Sequence, residues 1–358
     1  MIDRRAFTQA AAAFGGVAAV QGALSVFGPC GIAKAAGGQL TSIRTTAKSW
    51  LFCEEDFAAE AGLFEKSGLK VAISSTARGV NQDALLSGAA DIILGAPQQN
   101  MRVQVMKQPI KMICGFVNKY ASNIVVKKTL ADKQGVTESS PPDKKATVLR
   151  GLRMGTTGPA GGPDQLIRYF MKSVGIDPEK EAQLVPIKGG GQGMLAALHN
   201  DNIDGFCLSS PTSDIAVERF GAAYLFNMAT NPPPALKDFL YITASCTEQT
   251  TATKGEQLTA YCRGMALALR AIHDTPDKFK AWAKQFFGTM DADLFEISFR
   301  NNVGIYMPTP MPTEAQFKLN KEFLNDALSL LNQPPAPENF SFNDAFDMRF
   351  VNQAMKSL

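Results

Sequence analysis

The chain has 358 residues, of which 45% are hydrophobic and 19% are charged, a composition typical of a water-soluble globular protein with more than one lobe. Its formal net charge is +3, and residues 1–35 carry three of the basic side chains but only one acidic one. The nearly neutral remainder gives no reason to expect nucleic acid or anionic lipid as a partner.

The amino-terminal segment has the pattern of an export signal. Arg4-Arg5 precede a mostly apolar stretch over residues 10–27 that contains no charged side chain. Glycines interrupt this stretch, which disfavours the alternative of a membrane anchor. We therefore predict a twin-arginine signal peptide over residues 1–35, cleavage after Ala35 and a location in the periplasm.

Strand-like and helix-like patterns alternate along the next part of the chain. Short β-prone runs are separated by segments whose apolar residues recur every three or four positions. The predicted strands are residues 40–46, 69–74, 91–94 and 111–116, and the predicted helices are residues 52–66, 82–87 and 98–107. Parallel strands joined by helices indicate a doubly wound α/β sheet, whose ligands bind beyond the carboxyl ends of the strands.

A charged, proline-containing stretch over residues 129–145 interrupts the alternation and predicts a surface loop at a lobe boundary. The pattern then restarts with predicted strands at 152–155, 182–186 and 204–208 and predicted helices at 164–173 and 193–200. Residues 217–221 lead into proline-rich loops, and residues 241–246 predict a strand that returns to the first lobe. We therefore assign residues 36–122 and 241–358 to lobe 1, and residues 123–240 to lobe 2.

The last hundred residues are mainly helical by their apolar spacing. The predicted helices are residues 256–273, 276–287, 292–303 and 313–331, with prolines between the last two. We expect these helices to pack around the lobes rather than form a separate domain, so the chain is predicted to be an α/β protein with a hinge and extra carboxyl-terminal helices.

The order of several short motifs resembles a known family. They are AAEAGLFEKSGLKV at 58–71, LSGAAD at 86–91, LRGLRMG at 149–155, AAL at 196–198 with IDG at 203–205, and NDAFDMRF at 343–350. The chain resembles the substrate-binding proteins of ABC transporters for nitrate, sulfonate, taurine and thiamine precursors. It departs from their pattern at Asn200–Asn202, where a glycine is usual, and at Arg153, where a lysine is usual. The resemblance covers roughly residues 40–358.

The resemblance implies a type II periplasmic-binding-protein fold whose two lobes close on a small molecule. It also implies an ABC permease and its ATPase as partners, and we expect a monomer without cofactor. The ligand classes it leaves open are a sulfonate, a nitrate-like anion, a carboxylate and a pyrimidine-type molecule. The alternatives are an enzyme of the pyrimidine-precursor synthase type on the same fold, or a ligand sensor for a receptor kinase.

Loop position selects the candidate ligand-binding residues, because the carboxyl ends of parallel strands border the cleft. The candidates are Ser49, Trp50, Arg78, Gly79, Ala96, Pro97, Gln98, Asn118, Thr157, Gly158, Gly161, Gly190, Ser209 and Ser210. Alternatives stay open for several of them: Trp50 could serve only core packing, Arg78 could be a solvated surface charge, and Asn118 could belong to the crossover hinge. The turns that carry the other candidates could be ordinary helix-entry turns. Residues 156–163 combine hydroxyls with glycines before a helix, an arrangement that suits a bound oxyanion or carboxylate.

Cysteine and histidine usage argues against a metal site or an enzyme. The five cysteines after residue 35 form no CxxC pair, so buried thiols are expected, with a disulfide between Cys246 and Cys262 left open. The only histidines, His199 and His273, are expected at the carboxyl ends of helices. We find no nucleophile elbow and no dinucleotide-binding turn, so no catalytic residues are predicted.

Overall fold

A computed structural model describes residues 38–76 and 81–358 of the chain. The predicted signal peptide lies outside the described residues, as do the candidates Arg78 and Gly79. Among the described helices, none is long and apolar enough to cross a membrane.

Five strands form the first sheet, which belongs to lobe 1. They are β1 (Gly38–Arg44), β2 (Leu69–Ser75), β3 (Ile92–Gly95), β4 (Ile110–Val117) and β10 (Ile242–Thr247). Their order across the sheet is β2-β1-β3-β10-β4. Strand β1 is parallel to β2 and β3, whereas β10 is antiparallel to both of its neighbours. The predicted return of residues 241–246 to this sheet is confirmed.

Five further strands form the second sheet, which belongs to lobe 2. They are β5 (Ser122–Lys127), β6 (Arg153–Thr156), β7 (Gln183–Pro186), β8 (Gly205–Ser209) and β9 (Ala222–Phe226). Their order is β7-β6-β8-β5-β9, with β6 parallel to β7 and β8, and β5 antiparallel to β8 and β9. Each sheet is therefore mixed rather than purely parallel.

The two sheets correspond strand by strand, and the chain passes between them twice. Residues 118–121 lead from β4 into β5, and residues 227–241 lead from β9 into β10. In each sheet, the strand that follows a crossing is the antiparallel one. Two lobes of the same design are thus joined by two segments at one side.

Fifteen helices surround these sheets in the described part of the chain. They are α1 (Cys53–Glu60), α2 (Asn81–Leu86), α3 (Pro97–Val105), α4 (Lys128–Lys133), α5 (Pro142–Thr147), α6 (Gly162–Ser173), α7 (Gly190–His199), α8 (Thr212–Arg219), α9 (Glu248–Thr253), α10 (Gly255–Asp274), α11 (Pro276–Phe286), α12 (Ala292–Asn302), α13 (Glu314–Leu330), α14 (Phe342–Ala345) and α15 (Arg349–Lys356). The histidines lie in the last turns of α7 and α10, as predicted.

Local chemistry explains where the helices around the site begin. Proline occupies the first turn of α3 and α6, where a missing backbone N–H costs nothing. Helix α13 begins with a capping box, in which Thr313 Oγ1 accepts the Gln316 N–H at 3.2 Å and Gln316 Oε1 accepts the Thr313 N–H at 3.0 Å.

Some predicted loops are regular structure. Residues 129–145 contain most of α4 and the start of α5, and residues 217–219 are the last turn of α8. These predictions were wrong because helices of six to eight residues are shorter than the window in which a helical period is visible. Conversely, the helix predicted over 52–66 ends at Glu60, before Gly62 adopts a φ of 68°.

One large hydrophobic cluster includes buried side chains from both lobes, among them Leu40 and Ile92 of lobe 1 and Leu166 and Phe226 of lobe 2. The five cysteines of the described residues are buried and free, so the disulfide between Cys246 and Cys262 that the sequence left open is not formed.

Candidate functional site

The loops beyond the strand ends of the two lobes touch each other at two points. Ser49, after β1, donates its hydroxyl to the Ser210 carbonyl oxygen, after β8, at 3.4 Å. Gln98, in the first turn of α3, donates its amide N–H to Gln165 Oε1 on α6, also at 3.4 Å. Three of the predicted residues, Ser49, Gln98 and Ser210, therefore lie where the lobes meet.

Arg44 holds the loop after β1 in place. Its guanidinium donates to the Ala47 carbonyl at 3.3 Å and to the Phe52 carbonyl at 3.2 Å, at opposite ends of the loop. It also pairs with Glu55 at 3.3 Å and Asp56 at 2.5 Å. Because a guanidinium offers five donors in a fixed plane, one buried side chain fixes the loop that carries Ser49 and Trp50.

Trp50 is fully buried at the end of this loop. Its ring lies 4.4 Å from that of Phe287 and 5.9 Å from that of Phe299, measured between ring centroids. Its indole N–H donates to Ser298 Oγ at 2.7 Å. Of the two roles considered for Trp50, the structure shows packing. A contact between this ring and a ligand stays a prediction.

Asp214 of α8 connects lobe 2 with helix α12. Its Oδ1 accepts hydroxyl hydrogen bonds from Ser210, at 3.0 Å, and from Tyr224, and its Oδ2 accepts from Ser298 at 2.5 Å. The Asn301 amide lies 3.4 Å from Oδ1. Burial and the neighbouring carboxylate raise the pKa of the Tyr224 phenol, so it remains a donor. We call these five residues the Asp214 cluster.

Sequence reasoning missed the Asp214 cluster apart from Ser210. Ser298 links it to lobe 1, since the hydroxyl that donates to Asp214 accepts the Trp50 indole N–H. Asp214 could have been suspected as an acidic residue in the first turn of a helix. Its partner Ser298 lies 84 positions away, and no local pattern marks such a pair.

The glycine-rich loop after β6 leads into α6. Thr157 is exposed and Gly158 has a φ of 122°, a conformation that favours glycine. A Cβ on Gly161 would lie 2.7 Å from Thr157 Oγ1 and 3.1 Å from the Gly158 carbonyl oxygen, so a larger residue would crowd this loop. The carboxylate of Asp164 accepts the Ala160 N–H at 3.0 Å and fixes the loop from inside.

The loops after β7 and β8 pack against each other. Gly190, the first residue of α7, is exposed, and Ser209 is half-buried. A Cβ on Gly191 would lie 2.2 Å from Thr212 Oγ1 at the start of α8. The close approach brings the predicted Gly190 and Ser209 loops to the same edge of lobe 2.

On lobe 1, the turn after β3 has open space beside it. Ala96 is half-buried and Pro97 is buried, and a Cβ on Gly95 would meet no atom within 4 Å. Asn118 lies instead at the first crossing, where its amide donates to Asp238 at 2.9 Å. Its hydrogen bond joins the two crossing segments, which is the hinge placement that the sequence left open.

Glu54 is an unusual acidic residue at the start of α1. It is completely buried, and neither of its carboxylate oxygens has a hydrogen-bond partner among the described residues. Burial raises the pKa of this carboxyl well above its ordinary value. Among the described residues, no three His, Cys, Asp or Glu side chains form a candidate metal site.

Comparison with known proteins places this architecture in a family. The model of the NMT1-like family matches residues 53–285. The chain belongs to the NMT1-like family. Its match includes the loops after β3, β6, β7 and β8 that carry most of the candidate residues.

Solved structures share the fold of this NMT1-like chain at low sequence identity. A protein from Bordetella bronchiseptica RB50 is 14% identical, with a TM-score of 0.71 over 89% of this chain and 98% of that one. The periplasmic nitrate-binding protein NrtA from Synechocystis PCC 6803 is 14% identical, with a TM-score of 0.68 over 90% and 89%. The alkanesulfonate-binding protein SsuA from Xanthomonas axonopodis pv. citri, bound to MOPS, is 14% identical, with a TM-score of 0.63 over 84% and 95%. The two-lobed α/β periplasmic-binding-protein fold is thereby confirmed.

A curated relative matches part of the chain. The nitrate import ATP-binding protein NrtC of Synechocystis is 26% identical over 178 residues. This match covers 45% of the present chain and 25% of NrtC.

Proposed function

We propose that the protein is the periplasmic solute-binding component of an ABC importer, which traps a small molecule between its two lobes and delivers it to a permease. The observation that carries the proposal is the contact of ligand-side loops across the lobe boundary, through Ser49 with Ser210 and Gln98 with Gln165. Similarity to periplasmic nitrate- and alkanesulfonate-binding proteins supports it.

The two crossings form the hinge of the proposed trap. Two segments at one side let the lobes rotate while the opposite loops separate and admit a solute. Contacts from both lobes then favour the closed state, because a ligand shifts the equilibrium toward the conformation it binds better. The permease and its ATPase would recognise the closed form.

The proposed contact surface consists of the predicted loop residues. Lobe 1 contributes Ser49, Ala96, Pro97 and Gln98, and lobe 2 contributes Thr157, Gly158, Gly161, Gly190, Ser209 and Ser210. Gly95 adjoins this surface and leaves room for a ligand. Export through the Arg4-Arg5 signal would bring the chain to the periplasm.

A thermal-shift screen of the full chain tests the proposal. The solutes added are sulfonates, nitrate, carboxylates, pyrimidines and aromatic acids. One class is expected to raise the melting temperature in a dose-dependent way. At a solute concentration of a hundred times Kd, the free energy of unfolding is expected to rise by about 2.7 kcal/mol. The recovered solute is expected to be chemically unchanged by NMR, which separates a binding protein from an enzyme. A cooperative melt that no solute shifts would contradict the proposal.

A gene-deletion strain tests delivery. Loss of the chain is expected to abolish uptake of the radiolabelled solute found in the screen, and expression of the intact chain is expected to restore it. Unchanged uptake after deletion, together with tight binding in vitro, would favour the sensor alternative instead.

A further inference from the structure

Two consecutive hydrogen bonds across the lobe boundary fix the orientation of the Gln98 side-chain amide. The Gln165 amide nitrogen donates to the Phe323 carbonyl at 2.6 Å, so Gln165 must present its oxygen toward Gln98. Gln98 then donates its own N–H to that oxygen at 3.4 Å. Reversing either amide would place two acceptor oxygens opposite each other. The atom of the Gln98 amide that remains without a partner is therefore its oxygen, Oε1.

This leftover oxygen is an unused acceptor between the lobes. Gln98 is 2% exposed, and its Oε1 has no hydrogen-bond partner among the described residues. Buried acceptors are normally paired, and an unpaired one favours any donor that reaches it. The hydrogen bond from Gln98 to Gln165 is long at 3.4 Å, so it is weak.

The other contact between the loops of the two lobes, through Ser49 and Ser210, contains a carboxylate group. The hydrogen-bond partners of Asp214 are hydroxyls and an amide, and no described lysine, arginine or histidine forms an ion pair with it. Its carboxylate accepts from Ser210, whose carbonyl accepts from Ser49 of the facing lobe. A carboxylate group without a cationic partner disfavours a nearby anion and favours a cation or a hydrogen-bond donor.

We infer that the ligand is a small nitrogen compound with N–H donors, uncharged or cationic, which gives a hydrogen bond to Gln98 Oε1, rather than an oxyanion. The inference rests on the proposed function. It differs from what the relatives NrtA and SsuA are named for, since nitrate and alkanesulfonates present acceptors only. The shared fold therefore accommodates a site of opposite hydrogen-bonding character.

Probes of equal shape test this inference. Nitrate, urea and guanidinium are planar and of similar size but differ in charge and donors, and methanesulfonate and methanesulfonamide form a second matched set. The full chain is titrated with each at low millimolar concentration by calorimetry and thermal shift. Urea or guanidinium, together with methanesulfonamide, is expected to bind at least tenfold more tightly than nitrate and methanesulfonate. Tighter binding of either anion, or binding of no donor probe, would overturn the inference.

Variants of Gln98 identify the acceptor. Gln98→Leu is expected to weaken binding of the donor probes about tenfold, as loss of one buried hydrogen bond predicts. Gln98→Glu is expected to favour guanidinium over urea. Gln99→Leu, at the next and half-buried position of α3, serves as the matched control and should bind like the parent protein.

The outcomes separate this inference from the proposed function. Equal melting temperatures for the three variants show that the fold is retained. If Gln98→Leu binds donors as well as the parent does, the inference is wrong. If the solute screen finds an oxyanion ligand, the inference fails while the solute-binding function stands. If no solute binds, both fail.

Discussion

The two lobes meet in two regions that differ in chemistry. At the crossings, aromatic rings pack closely, with centroid distances of 4.6 Å between Tyr120 and Phe239 and 4.9 Å between Phe239 and Phe323. At the ligand side, the contacts are hydrogen bonds: the loops meet at 3.4 Å through Ser49 and Gln98. Shorter bonds of 2.6 Å from Gln165 to the Phe323 carbonyl and of 2.5 Å from Ser298 to Asp214 also cross between the lobes. Burial of apolar surface is non-directional, whereas hydrogen bonds weaken steeply when their geometry changes. We therefore expect the aromatic crossings around Phe239 to stay packed and act as a pivot. We expect the contacts at Ser49 and Gln98, which we call the separable edge, to come apart when the lobes open.

The aromatic region should carry the larger share of stability. Phe239→Ala removes a fully buried ring at the second crossing and is expected to lower the free energy of unfolding by about 3–5 kcal/mol. Urea denaturation followed by circular dichroism measures the change. Phe220→Ala is the control, because Phe220 is 36% exposed and should cost much less. Equal losses for the two variants would show that the crossing is not a packed pivot.

The Asp214 cluster should hold the separable edge. Asp214→Ala leaves the hydroxyls of Ser210, Tyr224 and Ser298 without their acceptor, and the expected loss is about 1.5–3 kcal/mol. The unliganded variant should also be more open, with a larger radius of gyration by small-angle X-ray scattering. Asp214→Asn keeps the size and an acceptor oxygen and should lose less. An unchanged radius for Asp214→Ala would mean that the cluster does not restrain the lobes.

Glu54 lies behind the loop of the separable edge, and its effect depends on pH. Because the folded-state pKa of Glu54 is raised by burial, the folded protein holds this proton at pH values where the unfolded chain has lost it. Stability from this group is therefore present below the ordinary glutamate pKa and is lost as pH rises toward the raised value. Glu54→Gln should remove this loss and stabilise the protein at high pH.

Melting temperatures of the parent and Glu54→Gln between pH 4 and 9 check this prediction. The difference between them is expected to be smallest at low pH and to grow with pH, with a gain of about 1–3 kcal/mol at most, since the glutamine amide is still incompletely paired. Glu65→Gln, an exposed glutamate of the same lobe, is the control and should show no such trend. A constant difference across the pH range would contradict the assignment.

The sequence predicts the strands and loops whose positions follow from the local alternation of apolar and polar residues. The alternation of strands and helices locates β3, β6 and β8, and with them the loops that carry Gln98, Gly158 and Ser210. It does not predict β5, because β4 and β5 are separated by only four residues and nothing local shows that the chain changes sheets there. It also misses the link from Asp214 to Ser298, which only tertiary packing creates.

The smallest expected change in stability comes from substituting glycines in corresponding strands of the two lobes. Gly95 ends β3 next to open space, whereas a Cβ on Gly205 of β8 would lie 2.4 Å from the Val125 carbonyl oxygen. Gly95→Ala should therefore change stability little, by a gain of about 0.4–1 kcal/mol from the restricted unfolded chain. Gly205→Ala should be clearly destabilising, because the clash involves backbone of the neighbouring strand.

Larger side chains at Gly95 test whether the ligand lies beside β3 at the separable edge. Gly95→Leu should fill the space beside Ala96 and Pro97 and weaken ligand binding at least tenfold while the unliganded melting temperature stays near that of the parent. Gly95→Ala should bind nearly as well as the parent, since one methyl group occupies little of that space. If Gly95→Leu binds with unchanged affinity, the ligand does not lie beside β3, and the proposed contact surface must shift toward the lobe 2 loops after β6 and β7.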